Sequence, residues 1–187
     1  MEAAIGRAEV VEEYKTLDPK LQRLALEPGD LADPDNSSSA TVYQKGAWFL
    51  SFLEQRFGRE VFDAWLKGYF DRHAFQSMTT ARLVEDLQQN LLATNPGKVT
   101  DAEIQEWVYG AGIPATAPKV ESRPLITVDA ARIAWTGSGM LPTQSITGAW
   151  STQEWVRFLE GMPDALKPEH LRQLDEAYTL TGTPNGE

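Results

Sequence analysis

The chain has 187 residues, 42% of them hydrophobic, with six tryptophans, no cysteine and a formal charge of −10. That length is enough to bury the core of one large domain or two small ones. The acidic balance argues against a nucleic-acid or anionic-membrane surface, which needs clustered Lys and Arg, and the lack of cysteine excludes disulfides and thiolate chemistry.

The opening "MEAAIGRAEVVEEYK" has no basic region followed by an apolar one, so no signal peptide is read. No apolar run approaches the roughly 20 residues of a membrane span. A cytoplasmic location is the expectation. Residues 2–16 read as a charge-rich helix, and "LEPGDLADPDNSSSAT" (26–41) gathers Pro, Gly, Asp, Asn and Ser as loop chemistry. The loop delivers the chain to "TVYQKGAWFLSFLEQRFG", where residues 43–57 are so densely apolar that a largely buried helix is expected, ending at Gly58.

A second helix over 60–72 carries Val61, Phe62, Trp65, Leu66, Tyr69 and Phe70 at helical spacing. Thr79 or Thr80 suits the cap of a third, striped by Leu83, Leu87 and Leu91. Thr100 and Glu103 form a capping box for a short helix with Ile104, Trp107 and Val108, stopping at Gly110. Pro114, Pro118 and Pro124 mark an extended linker, placed at 113–126, between a first part (1–112) and a second (127–187).

Beyond the linker a helical stretch begins at Thr127 with Ala130, Ile133 and Trp135, then "TGSGMLPTQSITG" reads as a loop. Ser151 and Glu154 make a second capping box before Trp155, Val156, Phe158 and Leu159. Pro168 opens a last helix with Leu171, Leu174 and Tyr178 on one face, and the tail "LTGTPNGE" is turn composition. The fold class expected is all-α, with helix pairs reminiscent of α-solenoid units.

Little in the residues declares chemistry. His73 and His170 lie far apart and outside any metal-ligand pattern, so His73 is read as a helix-end cation and His170 as exposed. No HExxH, P-loop or nucleophile elbow occurs. Asp30, Asp33 and Asp35 share a loop without the calcium-loop pattern. Tyr43 alone stands out; from the residues it reads as a core tyrosine at a helix start, with a hydroxyl held toward a cleft as the alternative that spacing alone does not support.

"TVYQKGAWFLSFLEQRFG", then "FDAWLKGYFDRHAFQSMTT" and "WVYGAGIPATAP", resemble in that order segments of the HExxH zinc aminopeptidases, specifically the leukotriene A4 hydrolase and aminopeptidase B group. The resemblance spans nearly the whole chain from about Ala3. It implies the helical end of a thermolysin-like catalytic domain followed by the start of an α-solenoid-like domain. It also implies a zinc in the parent enzyme but none bound by this chain, because the HExxH motif and third ligand of that family precede the matched region. The chain is therefore expected to be an excised, inactive portion of an aminopeptidase that takes N-terminal residues from peptides.

By matched position Tyr43 corresponds to the catalytic tyrosine, its phenol donating to the oxyanion of the attacked peptide carbonyl. Pro34 and Asp35 correspond to the loop lining the substrate pocket. Lys45 and Gly46 complete the Y-x-K-G signature without a chemical role. Lys45 is read as solvated or salt-bridged, and Gly46 as permitting close helix packing. Ser38 stands where epoxide-hydrolysing members carry a second tyrosine, which favours a plain aminopeptidase. The expected partners are a peptide substrate and the rest of the parent polypeptide, with no nucleic acid and no membrane. Apolar surface left bare near Tyr43 leaves room for self-association. The competing reading is a non-catalytic helical interaction module.

Overall fold

A computed structural model describes residues 1–27, 29–30, 40–119, 121–163 and 165–182. Among them there are helices and turns and no strand, as an all-α reading requires. Contacts divide the chain into two units, Glu2–Val120 and Glu121–Glu187, the latter grouped with Met1.

The first unit opens with α1, Glu2–Glu13, shorter than the sequence reading, and a 3-10 turn, Pro19–Gln22, capped by the Asp18 carboxylate. A wide π turn, Thr41–Lys45, runs straight into α2, Gly46–Phe57. Gly58 (φ 85°) ends α2 and starts α3, Arg59–Arg72; the left-handed backbone there suits a residue without a Cβ. Thr79 caps α4, Thr80–Leu87, its hydroxyl accepting from the Arg82 amide, and a second π segment, Gln88–Leu92, prolongs it. The Thr100–Glu103 capping box opens α5, Asp101–Tyr109, as expected from sequence.

The core of this unit comes from one side of α2 meeting the other helices. Phe49 and Phe52 lie against the Trp107 ring at 5.7 and 5.4 Å, and Leu53, Leu87, Leu91 and Ile104 are fully buried around them. Burial of rings this large dominates the stability of so small a unit. Yet α2 is not buried all round. Tyr43, Ala47 and Leu50, spaced as one helical stripe, are exposed, which corrects their expected place in a largely buried helix. Phe70 is exposed as well.

α3 and α4 are clamped through a carboxylate. Asp86, 5% exposed, accepts from Trp65 Nε1 (3.0 Å), Arg72 Nε and Nη2 (2.9 and 2.7 Å) and His73 Nε2 (2.9 Å). His73, read as a helix-end cation, thus finds a carboxylate partner.

The stretch after α5 is packed rather than free. Ala117 is buried, Ile113 packs on the core, and Trp107 Nε1 donates to Thr116 Oγ1 at 3.1 Å. The second unit begins with α6, Arg123–Ser138, four residues before the expected start. Pro124 sits in its first turn, where a missing N–H costs nothing. Its buried face is therefore Leu125, Val128 and Trp135, while Ala130 and Ile133 are exposed. The expected loop that follows contains a short helix α7, Gln144–Thr147.

The Ser151–Glu154 capping box starts α8, Thr152–Glu160, and Pro168 starts α9, Pro168–Tyr178. A 3-10 turn, Leu180–Gly182, follows. Phe158, Trp135 and Leu174 form the centre of this unit, with the rings of Trp150, Trp155 and Tyr178 packed around it. Leu171 points away at 54% exposure, and His170 is half-buried, edge-on to Trp135 at 5.6 Å; both differ from the sequence reading. Arg157 Nη2 and Arg132 Nη2 converge on Asp129 at 3.0 and 3.3 Å.

Candidate functional site: an outward tyrosine on an anchored turn

Residues two apart on a helical turn point to nearly opposite sides, and residues four apart share a side. The turn Thr41–Lys45 uses both relations. Thr41 and Lys45 point inward and are fully buried, while Tyr43, between them, is 71% exposed. Gln44 lies on α1, where an added Cβ at Gly6 would meet its side chain at 2.3 Å. Glycine at position 6 thus gives this side chain room beside α1. The inward side and the side against α1 are held, while Val42 and Tyr43 are exposed. Wide π turns of this kind recur at functional sites.

Lys45 corrects the sequence reading most sharply. It is neither solvated nor salt-bridged: its ammonium donates to Gln22 O at 2.9 Å and Gly110 O at 2.7 Å. The Gln22 carbonyl also accepts from Tyr14 Oη at 3.3 Å, and the amides of Leu24 and Ala25 donate to Val108 O at 3.1 and 3.0 Å. The head of α2, the segment after the first 3-10 turn and the end of α5 therefore meet in one knot, with the lysine at its centre. Burial pushes the Lys45 ammonium down to about 8, against an opposing pull from Glu106. Gly46, by contrast, has open space where a Cβ would stand, so close packing is not its reason for being there.

No hydrogen bond of the Tyr43 hydroxyl occurs among the described residues, and its neighbours on the stripe are the apolar Ala47 and Leu50. Clefts of about 490 Å³ beside Trp65, Arg72 and Asn90, and about 190 Å³ beside Trp135 and His170, do not include Tyr43 in their walls. The phenol opens to solvent. Pro34, Asp35 and Ser38 lie outside the described residues.

No group of three or more His, Cys, Asp or Glu side chains among the described residues is arranged to hold a metal ion. The described residues therefore do not fit a zinc site. No helix among them is long and apolar enough to cross a membrane.

The helical fold has a counterpart among known structures. The structure of native yeast LTA4 hydrolase superposes with a TM-score of 0.66 at 19% identity, covering 95% of this chain and 32% of that one. The model of the peptidase family M1 domain matches residues 6–107, and the chain belongs to that family.

Aminopeptidase B of Rattus norvegicus is 30% identical over 199 residues, covering 95% of this chain and 29% of the relative. Leucine aminopeptidase 2 of Candida albicans is 28% identical over 194 residues, covering 97% and 31%. The chain thus spans about three-tenths of the length of these relatives.

Proposed function

We propose that this chain supplies the oxyanion-stabilising side of an aminopeptidase active site, with Tyr43 as the donor. The observation that carries the reading is the combination of a phenol 71% exposed and a turn anchored on the opposite side. When water adds to a peptide carbonyl, negative charge grows on the oxygen. A protonated phenol already aimed at that point stabilises it without reorganising. Membership of family M1, and relatives named as aminopeptidases, support peptides as the substrate class and removal of N-terminal residues as the reaction.

On this reading the zinc that such peptidases use is held by polypeptide outside this sequence, and the chain alone is inactive. The exposed stripe Tyr43, Ala47 and Leu50 is a surface of the kind such a neighbour, or a second copy, would cover. Pro34 and Asp35 are proposed to border the substrate, and Ser38 favours peptide hydrolysis over epoxide hydrolysis. The setting proposed is the cytoplasm.

The test is Tyr43→Phe in a polypeptide that joins this chain to an HExxH-bearing segment, assayed on aminoacyl-nitroanilides. The expected result is a loss of about 10²–10³ in kcat with folding and bound zinc unchanged. A helical module that only binds a partner predicts no turnover to lose.

A further inference from the structure

Lys45 is a lysine at 0% exposure, a rare place for that side chain. Burying an ammonium is costly, and an apolar residue of similar volume would fill the space without that cost. No carboxylate lies within ion-pair distance of it among the described residues, so the side chain is not there for a salt bridge. What it does make is two hydrogen bonds to main-chain carbonyls from separate parts of the chain, Gln22 and Gly110.

These bonds sit two residues from Tyr43, on the opposite side of the same turn. A rotation of the turn that swung the phenol inward would tear Nζ from both carbonyls, leave Gln22 O only its long bond from Tyr14 Oη, and strip Gly110 O of the lysine donor. Each such loss is expensive. The buried side chains of α2 begin at Trp48, beyond the turn, so near Tyr43 the inward restraints are the buried Thr41, Ala40 packed on the core and Lys45, of which Lys45 alone bonds to carbonyls of two distant segments.

We propose that Lys45 is a positioning residue: through Gln22 O and Gly110 O it fixes the rotation of the Thr41–Lys45 turn, and so the direction in which Tyr43 presents its hydroxyl. The inference rests on the reading of Tyr43 as an oxyanion donor. It goes beyond that reading by giving the signature lysine a task in catalysis without contact with substrate.

Two measurements test it and separate its failure from that of the Tyr43 reading. The first is amide hydrogen exchange on the full chain, comparing wild type with Lys45→Met. Amides of residues 41–46 should exchange about ten- to a hundredfold faster while those of α3 keep their protection. Unchanged exchange at 41–46, or an equal loss in every helix of the first unit, overturns the proposal. If Lys45→Met does not fold, Lys45→Gln, one bond too short to span both carbonyls, is read in the same way.

The second is a double-mutant cycle on kcat in the joined, active polypeptide. Lys45→Gln should lower kcat at least tenfold when Tyr43 is present and have little further effect on Tyr43→Phe. Equal losses in both backgrounds make Lys45 a general structural residue and overturn the proposal. A silent Tyr43→Phe overturns the Tyr43 reading and with it this one, whatever the exchange data show about the turn.

Discussion

Trp65 donates its indole N–H to Asp86 Oδ1 at 3.0 Å, joining α3 to α4 through a carboxylate that also takes both Arg72 and His73. Burial works against the charged form of Asp86, but hydrogen bonds from Arg72, His73 and Trp65 outweigh it and hold the carboxyl down to about 2. A carboxyl lowered in the folded state stabilises the fold above its unfolded value of about 4 and loses that contribution as pH falls toward 2. Acid denaturation should therefore cost wild type about 2 kcal/mol between pH 5 and pH 2 that Asp86→Asn does not lose. Asp86→Asn itself should be destabilised by about 3 kcal/mol at pH 7, because Arg72 and His73 lose their shared anion. Urea titrations of both proteins across that range check the sign and the size.

Lys45 has a pH signature of the same sign in a higher window. Its folded value is about 8 and its unfolded value 10.5, so between these the unfolded chain binds more protons. The contribution of this group to stability therefore rises as pH climbs through that window. The difference in unfolding free energy between wild type and Lys45→Met should widen from pH 7 to pH 10. A constant difference would mean that the ammonium titrates as if in water.

The Thr100 hydroxyl accepts from the Glu103 amide, and the Glu103 carboxylate accepts from the Thr100 amide and hydroxyl, closing the capping box of α5. Thr100→Ala should cost about 1 kcal/mol, measured by thermal unfolding. Because α5 carries Ile104, Trp107 and the knot around Gly110, exchange at Leu24 and Ala25 should rise with it.

For Tyr43, exposure and the lack of a structural hydrogen bond lead to a different expectation. Tyr43→Phe should change the stability of this chain by less than about 0.5 kcal/mol. A larger loss would show that the phenol has a structural partner and is not free for substrate.

Much of the helical frame was legible in the sequence, for identifiable physical reasons. Hydroxyl–carboxylate pairs three apart announced both capping boxes, Gly58 announced the α2–α3 corner, and the Leu83, Leu87, Leu91 stripe showed which face of α4 packs. The start of α6 was misplaced because proline both ends and begins helices. Reading Pro124 as linker hid Leu125 and shifted the apparent buried face by part of a turn.

Burial of charge was the larger blind spot. Lys45 reads as solvated or salt-bridged because sequence spacing registers no partner 23 or 65 residues away, and for the same reason nothing singles out Asp86, whose partner Trp65 lies 21 residues off. The candidate tyrosine came from the Y-x-K-G resemblance. Its exposure, and the lysine that anchors it, came only from the fold.

The most direct test of the account is kcat for Tyr43→Phe in the polypeptide that unites this chain with an HExxH-bearing segment. The account predicts a fall of about 10²–10³, with KM changed little and the unfolding midpoint unmoved. A variant that turns over peptide substrates at the wild-type rate would contradict it.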